Sequence, residues 1–418
     1  MLDRVASAVK SIFSTELVID ERFRPLATAT VLLFAIGYSV GFLGLMQHVA
    51  YLGPGLGDEF SFKPYLQLLS HIEDIVPSQQ WHPALLCFLI LSFVNVLFTA
   101  TIIFMGYALY PSQLGKPFPI TVLYTYLSLN VICAVGIVLL QLVAGVIAYL
   151  IGFSVMDGFY AFDDLLNNVR TLAHQVPTLI ELPGWAAFFV LQMAGGFFHY
   201  WFHRLAHESR TLWLLFHRTH HMTPELIQPS AQAVFNAFPF FLFAAVPYVL
   251  IFSVIGTLIS SESLLIYLII YKLLSAFANI FSHQSALYQW AQGKWYIRFL
   301  STVTSEGVYH YLHHSAESSH NQPRGNLINI GGGMFFFWDR VFGTYRPVTN
   351  VQPRVGLQGI EPEDMTSNPF RLAFAGIAQL VYEIRWSQGL MEKVGIVFFG
   401  SDYVPKKSKD FVKRESLG

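Results

Sequence analysis

Charge is scarce in this chain of 418 residues: Asp, Glu, Lys and Arg make up 12% of it, against 54% hydrophobic residues. A soluble domain carries about 25% charge, so the chain has roughly half of what a water-facing surface needs. That excludes an ordinary soluble globular protein. An excess of either sign is also missing. The 25 Lys and Arg against 26 Asp and Glu leave a net charge of -1, which excludes a basic nucleic-acid binder and an acidic disordered tail. Cysteine is nearly absent. Cys87 and Cys133 both lie inside apolar runs, so neither a disulfide framework nor a cysteine-rich metal site can form. The first 25 residues lack the charged start, short apolar core and small-residue cleavage site of a secretory signal.

Long apolar runs are present, at about 26–51, 84–110, 119–153, 178–202, 237–259 and 262–282. Each can cross a hydrocarbon core of about 30 Å, which takes roughly 20 helical residues. The expected fold class is therefore all-α: a polytopic membrane bundle of about six spans. The 237–282 pair forms a hairpin turning at Ser260, Ser261 and Glu262. Residues 366–400 alternate apolar and polar positions as surface helices do.

Loop charges set the orientation. The N-terminal segment carries Arg4, Lys10, Arg22 and Arg24. The 52–83 loop sets Lys63 against Asp58, Glu59, Glu73 and Asp74. The 111–118 loop has Lys116, and the 154–177 loop sets Asp157, Asp163 and Asp164 against Arg170. Six spans with both termini in the cytosol satisfy this pattern. Segments 203–236 and 283–418 then share the cytosolic side, where a helical cap is expected.

Histidine is concentrated there. Eleven of the fifteen histidines fall between His199 and His320. His203-Arg-Leu-Ala-His207 puts two imidazoles one helical turn apart on one face. His217-Arg-Thr-His220-His221 and His310-Tyr-Leu-His313-His314 each put two on a face and add an adjacent third. Eight imidazoles on converging helices can hold two metal ions of the imidazole-preferring kind, such as iron, zinc or copper. One such pair arises by chance; three on one predicted side are a metal signature. His283, directly after the sixth span, is placed to complete a coordination sphere. His199 and His320 are further candidates, as ligands or as hydrogen-bond partners of ligands. His48, His71, His82 and His174 fall in or near segments on or toward the opposite side and are read as structural.

These motifs resemble the histidine boxes of the fatty acid hydroxylase / sterol desaturase superfamily of membrane di-iron enzymes. Tyr200-Trp-Phe-His203-Arg-Leu-Ala-His207 is similar to its first box, and Leu212-Trp-Leu-Leu-Phe-His217-Arg-Thr-His220-His221 to its second. His310-Tyr-Leu-His313-His314-Ser is similar to the third, and Trp338-Asp-Arg-Val-Phe-Gly-Thr344-Tyr345 to the segment that follows it. The resemblance covers about residues 185–347. The chain departs from it in two places. Gly196 stands where many members carry an acidic residue, and Tyr311 and Leu312 stand where many carry a charge inside the third box.

The resemblance implies a catalytic domain over residues 178–347, between an N-terminal membrane region of unassigned role (1–150) and a cytosolic or interfacial tail (348–418). It implies two iron ions on the box histidines, which zinc can replace in purified protein, with Trp338, Asp339 and Arg340 supporting the ligands from outside. It implies a membrane lipid as substrate (fatty acyl, sterol-like or another long chain), O2 as oxidant, and hydroxylation as the reaction. Desaturation shares the first hydrogen abstraction and is the alternative. No Gly-rich dinucleotide fingerprint, fused haem signature or cysteine cluster is present, so electrons are expected from a separate cytochrome or ferredoxin partner. Lys406, Lys407, Lys409, Lys413 and Arg414 offer it a basic tail, or else contact anionic lipid. A histidine-rich metal transporter is the rival from another class. It would place its site near the bilayer midplane on broken spans, whereas these boxes follow the span ends.

Overall fold

The structure is a computed structural model. It describes residues 141–158, 175–222, 254–261, 285–317, 327–356 and 369–400, with single positions within 161–172, 264–282 and 403–405. Among the described residues the fold is all-helical. Its β-type pairing there is confined to two isolated bridges, Ser209 with Gly400 and Ser315 with Val355.

The longest of these helices is α1 (Gly184–Glu208). Its start follows from Pro183, which favours extended backbone in the residue before it. Residues 178–183, expected inside the fourth span, are accordingly not helical. The Leu179 and Ile180 amides donate to the Leu258 carbonyl, and the Leu182 amide to that of Ile259, at the end of α4 (Gly256–Ile259). Along α1, Ala187, Phe188, Leu191, Gln192, Gly195, Gly196, Tyr200, His203 and His207 are buried. That is one stripe at helical period, and it carries the first box as its last two turns.

Ser209 leaves helical geometry, and its Oγ accepts the Leu212 amide. The short turn α2 (Arg210–Leu212) follows, then a π-helical turn (Trp213–His217) and α3 (Arg218–Met222). Helices α5 (Ser285–Gln292), α6 (Trp295–Thr304) and α7 (Val308–His313) form the opposite wall. Here Phe281, Tyr288, Ala291, Ile297, Val308, Tyr309, Tyr311, Phe336 and Val355 make a buried aromatic core. After the loop 327–333 come a 3-10 turn (Met334–Phe336) and α8 (Phe337–Val341). Two C-terminal helices, α9 (Pro369–Trp386) and α10 (Leu390–Phe398), match the surface helices expected over 366–400.

Among the described residues, no helix is long and apolar enough to cross a membrane. At 25 residues α1 has the length, but Gln192, His199, His203, Arg204, His207 and Glu208 dilute its apolar character. The predicted runs 26–51 and 84–110, and most of 119–153, 237–259 and 262–282, lie outside the described residues. From the 119–153 run a helix over 141–150 is described, and Leu142, Val143, Val146, Ile147, Tyr149 and Leu150 on it are exposed.

Candidate metal centre

The eight box histidines converge between the end of α1, the π turn with α3, and α7. Their ring nitrogens fall into two groups, each with atoms within 4.8 Å of one another. His203, His207, His217 and His313 form the first; His220, His310 and His314 form the second. His221 links them. Its Nε2 is 3.0 Å from the His217 Nε2, and its ring centroid is 4.3 Å from that of His314. The boxes are thus divided between the groups. His310 and His314, one helical turn apart, go together with His220, while His313 joins the first box.

The nitrogen separations are informative. Nε2 of His203 lies 2.9 Å from Nε2 of His217, His207 Nε2 lies 3.2 Å from His313 Nε2, and His310 Nε2 lies 3.1 Å from His314 Nε2. Metal–nitrogen bonds of about 2.1 Å give polyhedron edges of roughly 3.0–3.4 Å. The donor atoms are therefore already spaced as ligands around common centres. The donor set is entirely imidazole, which suits iron, zinc or copper. The residues present fit a pair of such ions.

Two backbone carbonyls fix the tautomers. His203 Nδ1 is 2.6 Å from the Ile330 oxygen, and His313 Nδ1 is 2.8 Å from the Ile328 oxygen. A carbonyl only accepts, so each Nδ1 carries the proton and each Nε2 presents its lone pair inward. Burial keeps the rings neutral. With help from neighbouring imidazoles it holds His203, His207 and His221 well below the ordinary value of 6.5. Burial likewise pushes His220 down to about 3 and His313 to about 4. A neutral imidazole is the form that ligates, so no proton need be displaced near pH 7.

Asp339 holds the loop that carries those carbonyls. Its carboxylate accepts the amides of Ile330, Gly331 and Gly332 at 2.7, 3.1 and 2.8 Å, and the Thr344 hydroxyl at 2.9 Å. Burial raises its pKa above the ordinary carboxylate value, and these hydrogen bonds offset only part of that rise. Trp338 donates its indole N–H to the Met193 carbonyl at 2.8 Å, which pins α8 to α1. Arg340 is exposed, donates to the Phe335 carbonyl and lies over the Tyr345 ring at 3.8 Å. It does not reach the ligands.

The two departures from the family pattern have local reasons. A Cβ on Gly196 would overlap the Gly333 Cα, because the loop crosses α1 there with no room for an acidic side chain. Tyr311 and Leu312 are each 1% exposed. Tyr311 stacks on Tyr288 at 4.5 Å and accepts a hydrogen bond from Gln352, so a charge would be buried at that position.

The outlying candidates fare differently. His199 is exposed, with its ring 5.5 Å from that of His203, and belongs to neither nitrogen group. His283 and His320 lie outside the described residues. Sequence reasoning missed Ile328 and Ile330, which act through backbone carbonyls and leave no residue-type signal. It also missed the π turn, which a box written as a regular helix conceals.

Comparison with known proteins bears on the same segment. Residues 188–344 match the family model described as fatty acid hydroxylase. No curated protein and no solved structure matches the chain.

Proposed function

We propose that this chain, whose residues 188–344 match the fatty acid hydroxylase family model, is an integral-membrane di-iron oxygenase that hydroxylates a long-chain lipid. O2 is the oxidant, and a separate cytochrome or ferredoxin donor supplies the electrons. The observation that carries this reading is the pair of buried imidazole groups.

In this reading His203, His207, His217 and His313 would hold one iron and His220, His310 and His314 the other, and His221 packs between the two nitrogen groups. Bound iron supplies the capacity to activate O2 and to abstract hydrogen from an unactivated C–H bond. The chain supplies the rest. Ile328 and Ile330 orient ligand rings through their carbonyls. Trp213 covers His207 and His221, with ring centroids 5.2 and 5.4 Å away, and helps to exclude water. Trp185, Phe189, Val190, Phe197 and Phe198 leave an apolar face of α1 exposed. This supports contact with lipid along the helix that ends in the first box. The cytosolic placement of the site follows from the loop charges.

Comparative lipid mass spectrometry with and without the gene, under 18O2, tests the proposal. Hydroxylation adds one labelled oxygen to a membrane lipid. Loss of two hydrogens without label means desaturation at the same site. No lipid change combined with metal uptake into vesicles means transport and overturns the proposal.

A further inference from the structure

The family match ends at residue 344, yet the segment leading into the second box is clasped by residues far beyond it. Arg210 and Glu383 form a two-pronged ion pair, Nη2 to Oε1 at 2.6 Å and Nε to Oε2 at 3.0 Å. Both side chains are buried, at 5% and 0% exposure. Gln379 donates to the same carboxylate at 2.9 Å, and the Arg210 side chain also donates to the Tyr403 carbonyl. Along the backbone, the Arg210 amide donates to Phe399 at 3.1 Å, and Thr211 Oγ1 to the Val397 carbonyl at 2.7 Å. A Cβ on Gly376 would overlap the Leu214 carbonyl oxygen, so α9 lies directly on the π turn.

A π turn is rare and frequently sits at a functional site. It persists where its surroundings impose it. This one ends at His217, whose Nε2 faces both His203 and His221. The clamp therefore grips the turn that places this ligand. Glu383 is suited to the task, because a buried guanidinium needs a matched carboxylate and the forked geometry fixes direction as well as charge.

We propose that α9 and α10 are a positioning element of the metal centre, and that Glu383, acting through Arg210, is the residue that sets the π turn and His217. The metal part of this inference rests on the function proposed above. The functional unit then extends past residue 344 to at least Tyr403.

The test uses the full chain in detergent, with cobalt(II) alone as probe and hydrogen exchange as a second readout. In Glu383→Ala, exchange of the 213–217 amides rises about tenfold or more while that of 308–313 holds. Bound cobalt falls from about two toward one per chain. Glu383→Gln keeps one acceptor but leaves the Arg210 charge unmatched, and gives changes between those of Glu383→Ala and the unaltered protein. Thr211→Val removes a single clasp bond without stranding a charge, and gives a smaller rise confined to 213–217. Unchanged exchange and cobalt affinity in both Glu383→Ala and Thr211→Val overturn the inference. An equal rise across 308–313 in Thr211→Val does so too, because the clasp would then be general scaffold. If the unaltered protein binds no cobalt, the metal reading fails, and the exchange pattern alone still decides whether the clasp sets the turn.

Discussion

The Nδ1 of His203 stands 2.6 Å from the carbonyl oxygen of Ile330, 127 residues away in sequence. The amide of that same Ile330 donates to Asp339 at 2.7 Å. One residue thus transmits the position of a buried carboxylate to a ligand ring.

Asp339→Asn tests that relay. The amide keeps one acceptor but turns an NH2 toward backbone donors. Each buried N–H left without a partner costs about 1–3 kcal/mol. We expect a lower melting temperature and weaker metal retention, measured by thermal unfolding and metal analysis of the purified protein. An unchanged metal affinity would remove Asp339 from the account.

Gly196→Ala probes the crossing of α1 and the 332–333 loop. Its Cβ would overlap the Gly333 backbone, and relieving such overpacking costs about 1–3 kcal/mol. The loop shifts, and activity falls together with stability. A fully active and equally stable variant would show that the loop has slack.

Tyr311 separates packing from charge in the third box. Tyr311→Phe loses the Gln352 hydrogen bond, at a cost of about 1 kcal/mol, and retains activity. Tyr311→Asp buries an unpaired charge, costs several-fold more, and yields little folded protein. Equal stability of the two variants, read by thermal unfolding, would contradict the packing described.

Acid should unfold the metal-free protein. His313 and His220 are depressed in the folded state to about 4 and about 3, by burial first. Between those values and the ordinary 6.5, the unfolded chain binds protons that the folded one does not, so stability rises with pH there. It is complete above about 6.5 and is lost progressively as pH falls toward 4. Unfolding midpoints of the metal-free protein across this range check the sign. A midpoint that rises on acidification would refute it.

The sequence made the ligands legible and its resemblance pointed to Trp338 and Asp339, but neither revealed the main-chain atoms through which Asp339 acts. Spacings of three and four residues announced that His310, His313 and His314 would share a helical neighbourhood, and α7 delivers them. No spacing could announce that His313 would leave its box partners for the first box, since that depends on how two helices cross. Ile328 and Ile330 contribute only main-chain atoms. The helix starts only after Pro183, a boundary that the apolar run 178–202 conceals. Glu383, which anchors the C-terminal clasp, belongs to no motif. Its partner Arg210 lies 173 residues away, a distance that residue patterns do not bridge.

The central claim is that these eight imidazoles hold two metal ions, and counting them is its most direct test. The protein is reconstituted anaerobically with Fe(II), and iron per chain is measured for the unaltered protein, His313→Ala and His314→Ala. The account predicts about two per chain for the first and about one or fewer for each variant, with all three proteins recovered in the membrane fraction. Two ions retained in both variants, or none bound by the unaltered protein, would contradict it.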